Sequence, residues 1–348
     1  MRSLIVAPDT LADAVMAQPL AALIRRFDPD GRIDVVADPA VAPVFRAMAE
    51  VAEVLEGPRT SGPLRPWSAL RLARRLDRLR HDRAFVLPGA RRAAFAPWLA
   101  RIPVRIGLDG DTRWGLINQP HGSAARGGSH PGRPLVERFA HLAFDASQPL
   151  PGYVPNPVLA RDPAREASAR ARAGLSAESR LLAMCVGTED GPSRRWPPRH
   201  WASLLATIAQ SWPSMQPVLL GGPQDREFAT EVATLSGGVP RNLCGRLSLT
   251  DTLACIAQSE AVVSHDCALM HVAAAYSRPM VAVFGPTDPR FSPPRSPRAK
   301  VEWLHADCGD CARPACLSSH GECTTAIRPE SVFASLYTVT RLGAGHLR

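Results

Sequence analysis

Long apolar runs are missing from these 348 residues. No stretch approaches the about 18 apolar residues of a membrane-spanning helix, so none is expected. The first apolar run, Leu4 to Ala7, is cut by Pro8-Asp9 and is too short for a secretion signal, so the chain is expected to be cytoplasmic. Aromatic residues are scarce at 6%, no basic stripe is interleaved with them, and neither zinc-finger spacing nor a nucleic-acid module occurs. Nevertheless 41 Lys and Arg against 32 Asp and Glu leave a net charge of +9, in a basic set dominated by arginine. Such an excess favours anionic partners. With no nucleic-acid module, lipid headgroups and acidic or phosphorylated glycans are left. Carboxylate-rich metal motifs are also wanting, and no catalytic metal is expected.

What is present is the composition of a globular protein, 45% hydrophobic and 21% charged. The length suits two domains, each with its own core. The 34 prolines are scattered rather than gathered in a tail. The clearest unit is 261–288, AVVSHDCALMHVAAAYSRPMVAVFGPTD. Ala261 to Ser264 reads as a buried parallel strand, and His265-Asp266-Cys267 as a turn with Asp266 the candidate N-cap. Ala268 to Tyr276 reads as a helix stopped by Pro279, and Met280 to Phe284 as the next strand. A strand feeding straight into a helix leaves unpaired N–H groups where doubly wound α/β folds hold phosphates.

The amino-terminal half reads the same way. Ser3 to Ala7 is a strand, Asp13 opens a helix with apolar residues at Val15, Met16, Leu20, Leu23, Ile24 and Phe27, and Ile33 to Ala37 is the next strand. An Asp at a helix start is expected to cap it and to have a low pKa. Trp67 to Leu79 reads as a basic amphipathic helix. Arg91, Arg92 and Arg113 follow strands, either to pair with acidic groups of a ligand or simply to be solvated. The proline-dense stretch 149–163 reads as a linker, giving domains 1–155 and 156–348. In the second, Asp225 follows the strand Val218 to Gly221, as a ribose-hydroxyl acceptor or as an N-cap. Of eight cysteines, Cys308, Cys311, Cys316 and Cys323 form C-x2-C-x4-C-x6-C. Disulfides are not expected in a cytosolic chain, and the four thiols are a candidate structural metal site of non-standard spacing.

HDCALMHVAAA followed by RPMVAVFGPTDP resembles the C-terminal signature of the ADP-heptose:lipopolysaccharide heptosyltransferases, glycosyltransferase family 9. That signature usually runs Asn-Asp-Ser-Gly-Leu-Met-His. Asp266, Leu269, Met270 and His271 keep it, while His265, Cys267 and Ala268 depart from it. Ala268 cannot take a positive φ as freely as glycine, so a reshaped phosphate cradle is expected. Other segments resemble the family in order. They are APDTLADAVMAQPLAALIRRF, with Ala12-Asp13 for the usual Gly-Asp, then 110–116 around Arg113, then Ser193-Arg194-Arg195-Trp196-Pro197, with Arg194 at a lysine position. Leu243 to Leu249 is similar to the segment that lines the nucleotide base.

The resemblance implies a GT-B fold, two Rossmann-like domains facing across an interdomain cleft. Domain 1–155 would bind the acceptor and 156–348 the nucleotide sugar. The Cys-rich loop 308–323 is read as a family feature, and the final helix is expected to pack back toward the N-terminal domain. The implied reaction is inverting transfer of L-glycero-D-manno-heptose from ADP-heptose to the lipopolysaccharide inner core, the branch adding the second heptose being the nearer likeness. No cofactor is implied, since ADP-heptose is itself the donor substrate. The anionic acceptor would be met at the cytoplasmic face of the inner membrane. Asp13 becomes the general base and Arg194 the clamp on the leaving diphosphate. Arg195, Asp225, Leu247, Asp266, Cys267, Ala268, Leu269 and His271 form the donor site, and Arg91, Arg92 and Arg113 the acceptor site. Two rivals stand beside this reading: a same-fold transferase with another donor or acceptor, and a catalytically silent glycan- or nucleotide-binding paralogue.

Overall fold

The computed structural model describes residues 1–59, 66–108, 115–121, 133–150, 152–188, 191–304 and 322–344. The chain divides into two units, Met1–Ala160 and Arg161–Arg348, each built on one sheet. In the first unit the strands are β1 (Arg2–Val6), β2 (Arg32–Ala37), β3 (Glu53–Glu56), β4 (Arg83–Val86), β5 (Val104–Leu108) and β6 (Gln119–His121). They lie in the order β3-β2-β1-β4-β5-β6, all parallel. The second unit has β7 (Arg180–Cys185), β8 (Met215–Leu220), β9 (Arg241–Asn242), β10 (Ala261–His265), β11 (Met280–Phe284) and β12 (Ala299–Trp303). Their order, β12-β11-β10-β7-β8-β9, is the same winding seen from the other end, again all parallel.

This is the doubly wound Rossmann order, and it decides where ligands go. The winding reverses between β1 and β4 in one unit and between β7 and β10 in the other, opening a crevice beyond the strands' carboxyl ends. The segments leaving these four strands carry Asp13, Arg91 with Arg92, Arg194 with Arg195, and Asp266. The sheets read as buried apolar runs because helices cover both faces. β10, the helix Ala268–Ala275 and β11 have no exposed residue at all.

Local chemistry departs from the sequence reading in three places. The first helix starts with Thr10 as its cap, Thr10 Oγ1 accepting from Asp13 N at 3.2 Å, so Asp13 sits at the third helical position instead of capping. Its helix ends at Met16, and a second, Gln18–Phe27, begins with Pro19 in its first turn. The helix after β10 is capped at Cys267, not at Asp266. It stops before Pro279 is reached, in a Schellman turn: Arg278 N donates to Ala273 O and Ser277 N to Ala274 O, with Ser277 at φ +51°. The helix Pro329–Ala344 packs on the second unit's own sheet, with Val332, Leu336 and Val339 in its core. Among the described residues no helix is long and apolar enough to cross a membrane.

Candidate functional site

Two arginine–carboxylate pairs stand at the β7/β10 switch point. Asp266, buried at the end of β10, accepts from Arg194 Nη1 at 3.0 Å and from Thr287 Oγ1 at 2.6 Å, both on Oδ2. Thr287 lies in the Gly-Pro-Thr-Asp turn after β11, so three loops converge on one carboxylate. Asp225 is only 1% exposed and turns inward. Its Oδ1 accepts from Arg195 Nη2 at 2.9 Å and Thr188 N at 3.3 Å, its Oδ2 from Gly222 N at 2.9 Å. Both oxygens are thus engaged in holding Arg195 and two loops, a geometry that favours positioning over ribose contact. The Arg195 guanidinium also lies 4.8 Å from the centre of the Phe228 ring, and its Nε–H is buried without a partner among the described residues.

This packing is tight enough to require glycine. A Cβ on Gly187, in the loop after β7, would lie 2.5 Å from Asp225 Oδ2 and 3.1 Å from Gly221 Cα.

His265 anchors the arginine segment from beneath. Its Nε2 accepts from Trp196 N at 2.9 Å and from Trp201 Nε1 at 3.0 Å, and all three residues are fully buried. Two N–H donors aimed at one ring nitrogen place the proton on Nδ1, and burial holds the imidazole pKa down to about 3. Trp196 in turn donates its indole N–H to Ile327 O at 2.9 Å. The residue that departs from the family's usual Asn is therefore not a ligand group. It is the fixed point from which Arg194-Arg195 projects.

The helix start beside these pairs is equally plain. Cys267 occupies the cap position without a side-chain capping bond, its Sγ 3.3 Å from Ser264 Oγ, and burial pushes the thiol up to about 11, so it stays neutral. Ala268 and Leu269 begin the helix, and Ala268 is not among the non-glycine residues of positive φ. Ala268 thus takes its place in the helix without a strained backbone. His271 is buried, 3.2 Å from Ser292 Oγ through Nε2, with its pKa lowered to about 4 by burial. Leu247 is half-buried after Gly245, whose φ is +66°.

In the first unit Asp13 is half-buried, and burial raises its carboxyl pKa against the opposing bond from Thr10. The sequence expectation of a depressed pKa is reversed, because loss of hydration outweighs the helix terminus. Arg91 and Arg92 start the helix Arg91–Leu99 after β4, Arg91 exposed and Arg92 half-buried. A cation in a first helical turn opposes the macrodipole by about 0.3–1 kcal/mol, which a bound anion would offset. Arg113 lies outside the described residues, as do Cys308, Cys311 and Cys316, while Cys323 is buried. No group of three or more His, Cys, Asp or Glu gathers as a metal site among the described residues. Sequence reasoning missed Thr287. The signal available was its place in a Gly-Pro-Thr-Asp turn directly after a buried strand.

Residues 69–320 match the profile described as glycosyltransferase family 9 (heptosyltransferase). The chain is 33% identical to lipopolysaccharide heptosyltransferase 2 of Salmonella typhimurium over 97% of its own length and 98% of that protein. It is 34% identical to the Escherichia coli protein of the same name, covering 86% and 87% of the two chains. The solved structure of E. coli ADP-heptose lipopolysaccharide heptosyltransferase II superposes with a TM-score of 0.85 at 30% identity, over 99% of this chain and all of that one. The two Rossmann-order units are those of the GT-B fold.

Proposed function

Because the chain belongs to glycosyltransferase family 9, the heptosyltransferase family, we propose that it moves L-glycero-D-manno-heptose from ADP-heptose to the anionic inner core of lipopolysaccharide. The acceptor is met at the cytoplasmic face of the inner membrane. One observation carries the reading: a glycosyltransferase presents, at the switch point of its second sheet and next to the N-terminus of the helix Ala268–Ala275, Arg194 held on Asp266, a carboxylate that also accepts from Thr287. In the displacement, an acceptor hydroxyl oxygen bonds to the anomeric carbon as the bond from that carbon to the diphosphate oxygen breaks, with inversion. Asp13 takes the hydroxyl proton, and ADP leaves with the bonding pair. Arg194 and the N–H groups of Ala268 and Leu269 stabilise the charge on the diphosphate, and Arg195 stands by on Asp225. Arg91, Arg92 and Arg113 are assigned to the acceptor's acidic groups.

A raised Asp13 pKa suits this role, since a base is more effective the closer its pKa lies to the working pH. The test is acceptor-dependent ADP release from ADP-heptose with a truncated inner-core acceptor. Asp13→Asn is expected to lower kcat about 10²–10⁴-fold with ADP affinity unchanged. In the wild type, the acid limb of kcat/KM should fall at a higher pH than an ordinary aspartate gives. Unchanged release by the variant would reduce Asp13 to a helix residue. No release by the wild type, despite ADP binding, would assign a different donor or acceptor.

A further inference from the structure

The helix Pro66–Leu79 gives only one face to the first unit's core. Ala73 and Leu76 are buried there, with Leu72 and Leu79 packed beside them. Its outer stripe is Trp67, Arg71, Arg74 and Arg78, spaced i, i+4, i+7, i+11, and all four are exposed, Trp67 to 80%. Arg75 beside the stripe is tied to Glu53 at 3.2 Å, but the three stripe arginines pair with no carboxylate among the described residues. Four arginines and one aspartate, Asp77, give the helix a net charge of +3 (4 − 1). The helix Arg91–Leu99 packs against it and ends in exposed Trp98 and Leu99, followed by exposed Arg101. Both helices connect parallel strands, so both run from the sheet's carboxyl edge to its amino edge. Trp67 therefore stands toward one end of this face, and Trp98 and Leu99 toward the other.

We propose that this face of the first unit is the surface by which the protein lies on an anionic lipid bilayer. The proposal rests on the reading that the acceptor is membrane-borne. Arginines meet the lipid phosphates, while the two indoles sit at headgroup depth, where amphipathic rings prefer to be. The distribution favours a bilayer over a protein partner. Protein interfaces gather their aromatic anchors at the centre of a patch, whereas here they flank a row of cations.

Flotation of the full-length protein with vesicles tests it, using phosphatidylcholine with and without one-third phosphatidylglycerol. Binding is expected only with the anionic lipid and should weaken with salt. At about 1 kcal/mol per arginine near such a surface, Arg71→Ala/Arg74→Ala/Arg78→Ala lowers the partition coefficient about 100-fold. Arg26→Ala/Arg138→Ala/Arg165→Ala removes the same charge from exposed arginines elsewhere and should float like the wild type. Equal release by both triple variants, equal binding to pure phosphatidylcholine, or no vesicle binding overturns the proposal. Heptose transfer to a deacylated, soluble inner-core acceptor separates it from the functional reading. The stripe variant should keep that activity. A wild type inactive on that acceptor yet floating as expected would sink the acceptor assignment and leave the surface standing.

Discussion

His265 should contribute to acid lability of the second unit by an amount that one substitution removes. Its imidazole is held to about 3 in the fold, against about 6.5 in the unfolded chain. As pH falls below 6.5 the unfolded chain binds the proton first. The stability is therefore fully present above pH 6.5 and lost progressively down to about pH 3. At pH 5, about 1.5 units below the unfolded pKa, His265 alone has withdrawn about 2 kcal/mol. His271, held to about 4, withdraws a similar amount in the same window. His265→Gln keeps an acceptor oxygen for Trp196 N and Trp201 Nε1 but takes up no proton. The wild type should lose about 2 kcal/mol more than this variant between pH 7 and pH 5. For a unit of this size that corresponds to about 4–8 °C in the transition temperature. Urea unfolding of both proteins at the two pH values gives the difference directly. Equal losses would refute the reasoning, showing either that His265 titrates normally or that water reaches it. His265→Leu at pH 7 provides the second arm: two buried N–H groups lose their acceptor, at about 1–3 kcal/mol each.

Two further outcomes follow from the arginine pairs. Arg194→Ala should lower kcat by about 10²–10³, and Arg194→Lys should recover part of it by keeping the charge without the two-pronged grip. Steady-state kinetics within twofold of wild type for the alanine variant would remove Arg194 from the leaving-group role. Gly187→Ala puts a Cβ against the Asp225 carboxylate, displacing the group that holds Arg195, so calorimetry should find ADP affinity weakened severalfold in a folded protein. Unchanged affinity would show that Arg195 does not depend on Asp225.

The alternation of apolar strands with helices was legible, and so were the turns that carry chemistry, because buried parallel strands announce themselves as short Val- and Leu-rich runs closed by polar residues. The Arg194–Asp266 pair joins residues 72 positions apart. Each was identified separately, but nothing in a sequence says that a guanidinium and a carboxylate share a hydrogen bond. Asp13 illustrates a different limit. Thr10, three residues earlier, competes for the cap and wins, and the direction of the Asp13 pKa depends on burial, which local sequence does not reveal. His265 was legible only as a departure from a pattern, since its purpose lies in two tryptophans 64 and 69 residues away. Asp225 read equally well as ligand or cap because its arginine partner comes from another loop.

The repeated winding order also has a consequence in time. The central pair of the first sheet aligns Ser3 with Arg83, and that of the second aligns Leu182 with Ala261, separations of 80 and 79 residues. Flanking pairs such as β1 with β2 close over about 30 residues. On a ribosome adding about 5–20 residues per second, each crevice-forming pair waits roughly 4–16 s after its first strand has been made. Loop closure over such a span is also the costlier encounter. Nascent chains should therefore hold β2 and β3 before the first crevice exists, and β8 and β9 before the second. The surfaces that make this protein an enzyme thus wait for the fourth strand of each sheet, and only two strands, β5 and β6 or β11 and β12, are added after them.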